Sequence, residues 1–118
     1  MNPYLIINPD SIQENMMNNT EVIKQMIPLY LGQGVEDFKA LEVAIESQDH
    51  ADIKSKAHHI KPTMQYLGAT ALRMKFQDLE DKAGGQEPMA DILNLFEIIR
   101  NDFQLAMSEL QDYQTKLG

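Results

Sequence analysis

The chain has 118 residues, 43% of them hydrophobic, which is enough for one domain with its own core. The absence of cysteine excludes disulfides, thiol catalysis and thiolate metal sites, and no apolar run reaches the roughly 20 residues that a membrane span needs. The N-terminus lacks a signal peptide's pattern, and the net charge of −8 argues against nucleic acids and membranes as partners. We therefore expect a single cytoplasmic domain over residues 1–118.

Helix-forming residues dominate and no strand-like alternation is present, so the sequence predicts an all-α fold. Residues 1–8 are expected to form an extended lead-in. Asn8 is a predicted N-cap with Pro9 in the first helical position, and the short helix that follows ends near Met17.

Two helices are predicted between Thr20 and residue 48. Thr20 is the expected cap of the first, which Pro28 should kink and which Gly32 and Gly34 should end. The second covers residues 35–48 and carries an apolar face made of Phe38, Leu41, Ala44 and Ile45.

Three further helices follow, each with an apolar stripe at alternating spacings of three and four. Asp49 caps the first, which ends at Gly68, the pair Gly84-Gly85 closes the second, and Pro88 opens the last. The stripe of the first helix is Ile53, Ala57, Ile60, Met64 and Leu67, and that of the second is Leu72, Phe76, Leu79 and Ala83. The stripe of the last helix extends from Ile92 to Leu117. This layout predicts an antiparallel four-helix bundle with one or two extra N-terminal helices.

The region of residues 51–75 is basic in an otherwise acidic chain. It has five lysines or arginines against one aspartate, while the whole chain has a net charge of −8. The same region contains the pair His58-His59. Because Ala57 lies on the core stripe, His58 is predicted on its flank and His59 on the solvent side.

Lys61 follows His58 by one helical turn, so the two side chains are expected to be neighbours. A neutral, exposed imidazole beside an ammonium group suits phosphoryl transfer onto a ring nitrogen, since the ring itself is the nucleophile and the cation offsets phosphoryl charge. The chain has no GxxxxGK[ST] or GxGxxG loop. The phosphoryl group would therefore come from another protein, and we expect a carrier that is not itself an enzyme.

The order Ala57-His58-x-Ile60-Lys61, followed by Leu67-Gly68-Ala69, resembles the histidine-containing phosphotransfer (HPt) domains of multistep His–Asp phosphorelays. Their signature is a lysine three residues after the histidine and a glycine ten residues after it. The resemblance extends over about residues 10 to 117, through the helix layout and the segment from Ala44-Ile45 to Asp49.

The resemblance implies that His58 is phosphorylated and that Lys61 stabilises the phosphoryl group. It also implies that receiver domains, of a hybrid histidine kinase, a response regulator or both, dock on this face at Lys54, Pro62, Gln65 and Gly68. The protein itself would need no cofactor, and Mg²⁺ is expected on the partner receiver domain. Pro62 and Gln65 depart from the family pattern, which usually has glycine or serine after the lysine and a small residue seven after the histidine.

Two other functions are consistent with a helical bundle. A docking module without chemistry, including a degenerate HPt domain, would use its helix faces and methionines to bind partners. A metal-binding bundle is the second, but no histidine has the Glu-x-x-His spacing of di-iron sites, and Glu46 with His50 supplies only two ligands. The acidic cluster of Asp78, Glu80 and Asp81 is predicted to be a solvated helix face.

Overall fold

The computed structural model describes residues 2–118 and contains five α-helices over that range. The first two are α1 (Pro9–Asn15) and α2 (Thr20–Glu46), and the other three are α3 (His50–Tyr66), α4 (Thr70–Gly84) and α5 (Met89–Lys116). The predicted all-α fold is confirmed. Met1 lies outside the described residues.

Most helix ends are set by the residues that the sequence indicates. The Asn8 side chain accepts backbone hydrogen bonds at the start of α1, with Pro9 as its first residue, and the Asp49 carboxylate accepts the N–H of Asp52 at the start of α3. Gly68 follows the end of α3 with a φ of +67°. Thr20 is not the cap of α2, however, because the Asn19 side chain accepts the N–H of Val22.

The two helices predicted between residues 20 and 48 are one helix of 27 residues. Neither Gly32, Gly34 nor Pro28 ends it. The apolar stripe continues in register through the glycines, since Ile27, Gly34 and Phe38 are all buried. Burial of this continuous face outweighs the cost of about 1 kcal/mol for each helical glycine. Only one extra helix, α1, therefore precedes the four long ones.

The long helices pack in a closed ring, with α2 against α3 and α5, and α4 against α3 and α5. The predicted stripes of α3 and α4 lie inside the ring, where each of their residues is at most 1% exposed. Phe38 of α2 stacks on Phe96 and Phe103 of α5, and all three rings belong to the core. Among residues 2–118, no helix is both long and apolar enough to cross a membrane.

The N-terminal segment is attached to both the end of α3 and α5. The carboxylate of Glu109, which is buried in α5, accepts the backbone N–H groups of Leu5, Ile6 and Ile7 at 2.8 to 3.0 Å. The Asn8 N–H then donates to the carbonyl of Leu67 at 2.9 Å. The helix that carries the paired histidines is thus fixed at its C-terminal end.

Candidate functional site

His58 lies on the flank of α3, with 70% of its side chain exposed. The residue before it, Ala57, is fully buried in the core. Since successive helical residues are 100° apart, burial of Ala57 holds the histidine at the edge of the α3–α4 groove, in contact with water. The structure therefore places His58 where the periodicity predicts it.

Glu80 of α4 is the main partner of His58. Its Oε1 lies 2.6 Å from Nδ1 of the imidazole, and only 8% of the residue is exposed. The prediction of a solvated acidic face is therefore wrong for Glu80, although Asp78 and Asp81 are exposed. Glu80 follows the buried Leu79 directly, and this position turns it toward α3 rather than toward water.

The ionisation of Glu80 determines which nitrogen of His58 carries a proton. Burial raises the pKa of the Glu80 carboxyl, but hydrogen bonds from Lys61 and His58 and the charge of Lys61 outweigh that effect, so its pKa lies below the usual value. An ionised carboxylate can only accept hydrogen bonds. Nδ1 of His58 must therefore donate, and in the neutral ring the lone pair is on Nε2.

Lys61 contacts His58 through Glu80 rather than directly. Its Nζ donates to Oε2 of Glu80 at 2.7 Å and to Oε1 of Gln77 at 2.5 Å, and its side chain is only 13% exposed. The sequence predicts that the ammonium of Lys61 is a direct neighbour of the imidazole. The structure shows instead an ammonium that is paired with the carboxylate that also holds His58.

The antiparallel register of α3 and α4 produces this arrangement. His58 lies opposite Glu80, and Lys61 lies opposite Gln77, so each step toward the C-terminus of α3 matches a step toward the N-terminus of α4. In both helices the polar residue directly follows a stripe residue. The two flanks therefore meet along one groove.

Two shallow cavities flank His58 along this groove. The cavity toward the N-terminus of α3 is lined by Ala51, Lys54, Ser55, His58 and Glu80. The cavity toward the C-terminus of α3 is lined by His58, Lys61, Pro62, Gln65 and Arg73. The imidazole is thus accessible from both sides.

Three of the four residues predicted for partner docking lie beside His58. Lys54, Pro62 and Gln65 are exposed and line the two cavities, and α3 continues as a helix through Pro62. Gly68 is different, because a Cβ there would lie 2.6 Å from Cβ of Ser11 in α1. Its surroundings give Gly68 a packing role, and docking at this position stays a prediction.

The other two histidines are outside the groove. His59 is 68% exposed, as predicted, but its Nε2 lies 3.5 Å from Oδ1 of Asp37 in α2. Nε2 of His50 lies 2.7 Å from the carbonyl of Glu87, to which it donates, and so attaches α3 to the segment before α5. In the part of the chain that the structure describes, no group of three or more potential metal ligands comes together.

The sequence interpretation missed Glu80, Gln77 and Arg73 as members of the site. A signal for them is present in the sequence. Each directly follows a residue of the α4 stripe, in the same way that His58 and Lys61 directly follow residues of the α3 stripe. Recognising that the two flanks face each other requires the register between the helices, which the stripes alone do not determine.

One comparison with known proteins identifies a family. A family model described as Hpt domain matches residues 25–113, a range that contains both His58 and Glu80. No curated protein and no solved structure matches the chain. The family match covers most of the sequence and includes α3, α4 and most of α2 and α5. The chain therefore belongs to the Hpt domain family, whose members act in phosphotransfer in two-component relays.

Proposed function

We propose that this protein is a phosphohistidine carrier of a His–Asp phosphorelay. His58 accepts a phosphoryl group from the aspartyl phosphate of one receiver domain and passes it reversibly to another. The observation that carries this proposal is the exposed imidazole whose Nδ1–H is bound by the carboxylate of Glu80. Nε2 is then a nucleophile in water, in a chain of the Hpt family.

The transfer step requires no general base. The Nε2 lone pair attacks phosphorus and the N–P bond forms, while the P–O bond to the partner's aspartate breaks and its electron pair stays on that carboxylate. The ring gains positive charge, and the Nδ1–H bond to the Glu80 carboxylate stabilises that charge. Transfer onward reverses the same bond changes.

Lys61 supports the site in two ways. Its ammonium has three N–H groups, of which two donate to Gln77 and Glu80. The third is available for a phosphoryl oxygen. Lys61 also keeps Glu80 ionised, because its hydrogen bond and charge favour the carboxylate form and lower the pKa of Glu80.

The proposed partners are receiver domains of a hybrid histidine kinase, a response regulator or both, and they supply Mg²⁺. Lys54, Pro62 and Gln65 surround His58 on an open surface that a partner can cover. The proposed scaffold is an antiparallel four-helix bundle of α2 to α5, supported by the ring of helix contacts. We place this activity in the cytoplasm, without nucleic-acid or membrane partners and without an enzymatic activity of its own.

The test is transfer of radiolabelled phosphoryl from a receiver domain, with Mg²⁺ present, to the wild type and to His58→Ala and His59→Ala proteins. His59 is a matched control, since it is the next residue on the same helix and is similarly exposed. Acid-labile label is expected on the wild type and on His59→Ala but not on His58→Ala. Label on His58→Ala would refute the proposal, and no label on any protein, with receiver binding retained, would show a docking module.

A further inference from the structure

When His58 is phosphorylated, the negative charges of the phosphoryl group and Glu80 outnumber the positive charges of the ring and Lys61. Lys61 is the cation nearest to Glu80, and its charge is already offset by that carboxylate at 2.7 Å. A phosphoryl group brings close to two negative charges at neutral pH. The pair of Lys61 and Glu80 has no net charge, and the positive charge that the ring gains balances only one of the phosphoryl charges. A second cation would offset the negative charge that remains.

Arg73 of α4 is placed to be that cation. It lines the same cavity as His58, Lys61 and Gln65. Among the described residues, no carboxylate lies within ion-pair distance of its guanidinium. Its charge is therefore not offset, and its side chain is not held in another contact by an acidic group.

The register of the two helices places Arg73 on the groove itself. It directly follows the buried Leu72, as Gln77 and Glu80 follow the next stripe residues. The pairs His58–Glu80 and Lys61–Gln77 extend to Gln65 and Arg73 at the next turn. Arg73 thus lines the groove on the same side of His58 as Lys61, toward the C-terminus of α3.

We propose that Arg73 binds the phosphoryl group on His58, as a second cation besides Lys61. This inference rests on the proposed function and adds a phosphoryl-binding residue from α4. A guanidinium presents several N–H donors in a planar fork that matches phosphoryl oxygens. Because the groove is open to water, the effect of one such contact is modest, at about 2- to 5-fold in an equilibrium constant.

Lys54 provides the matched control. It also makes no ion pair among residues 2–118, but it lines the opposite cavity. Its side chain lies over Gly84, where an added Cβ would be 3.4 Å from its Cδ. If any cation near His58 had the same effect, Lys54→Gln and Arg73→Gln would behave alike.

The readout is the acid dissociation constant of the phosphoryl group on His58, followed by ³¹P NMR with no partner present. The sample has its other two histidines replaced by glutamine, so that His58 is the one imidazole in the chain. Phosphoramidate serves as the donor if receiver domains do not phosphorylate the protein. The measurement is therefore independent of whether the proposed relay function holds.

Arg73→Gln is expected to lower this dissociation constant by about 2- to 5-fold, because loss of a bound cation favours the protonated phosphoryl group. Arg73→Lys should restore part of the change, and Lys54→Gln should have a smaller effect. An unchanged titration in Arg73→Gln, with the helical circular dichroism retained, would overturn the inference. So would a larger effect of Lys54→Gln.

Discussion

Replacement of Gly68 by alanine separates a packing role from a docking role at this position. Gly68 has a φ of +67°, in the left-handed region that residues with a Cβ rarely adopt. The added Cβ would lie 2.6 Å from Cβ of Ser11 and 2.8 Å from Cβ of Asn8. Both contacts are with the start of α1, so the substitution forces α1 away from the end of α3.

The size of the effect follows from these two costs. The left-handed backbone costs about 1–2 kcal/mol for a non-glycine residue, and overpacking costs about 1–3 kcal/mol. Alanine also lowers the conformational entropy of the unfolded chain, and this effect offsets about 0.4–1 kcal/mol of the destabilisation. The net destabilisation is about 1–5 kcal/mol. With an unfolding entropy of about 2.1 cal/mol/K per residue over 118 residues, Tm should fall by roughly 4–19 °C.

The assay is thermal unfolding followed by circular dichroism, with Gly32→Ala as the control. Gly32 is also a glycine, but it lies inside α2 and a Cβ there meets nothing within 4 Å. Alanine should therefore stabilise that helix by about 0.5–1 kcal/mol and raise Tm by roughly 2–4 °C. A Gly68→Ala protein with unchanged Tm would refute the close contact of α1 with α3.

Two further substitutions test buried carboxylates. Glu109→Gln should destabilise the fold by about 1–3 kcal/mol and speed amide exchange in the segment Leu5 to Ile7, because one of the two acceptor oxygens becomes an amide NH2 group that cannot accept an N–H. Glu97→Gln is the exposed control on the same helix, and equal exchange in both proteins would contradict this attachment. Glu80→Gln should destabilise by about 1–2 kcal/mol at pH 7. Because the pKa of Glu80 is lowered in the folded protein, its stabilisation is present above the unfolded pKa of about 4.3 and is lost as pH falls through the folded value. Urea unfolding at pH 7 and pH 3 should show the difference from wild type shrinking, and a constant difference would contradict the ion pair.

The helices and the core follow closely from the sequence, because they depend on local patterns. The stripes of α3 and α4 are buried as their spacings predict, and Asn8 and Asp49 cap their helices. The glycines of α2 were misleading, since glycine weakens a helix without ending it when the buried face continues. The position of Gly34 on the same face as Ile27 and Phe38 indicates that the helix continues through the glycines.

The site is less predictable than the fold, because it depends on how two helices meet. The position of His58 on the flank of α3 follows from periodicity alone. Its pairing with Glu80 depends on the register between α3 and α4, which is fixed by packing of residues distant in the sequence. Without that register, an acidic residue beside a stripe is predicted to be solvated, and Lys61 is predicted to contact His58 directly.

The central claim is that Nε2 of His58 is the atom that carries the phosphoryl group, because Glu80 holds the proton on Nδ1. NMR of the ¹⁵N-histidine-labelled protein after phosphorylation by a receiver domain tests this most directly, through the coupling between phosphorus and the ring nitrogens. The structure predicts coupling to Nε2 of His58. Coupling to Nδ1 of His58, or to a ring nitrogen of His59, would contradict it.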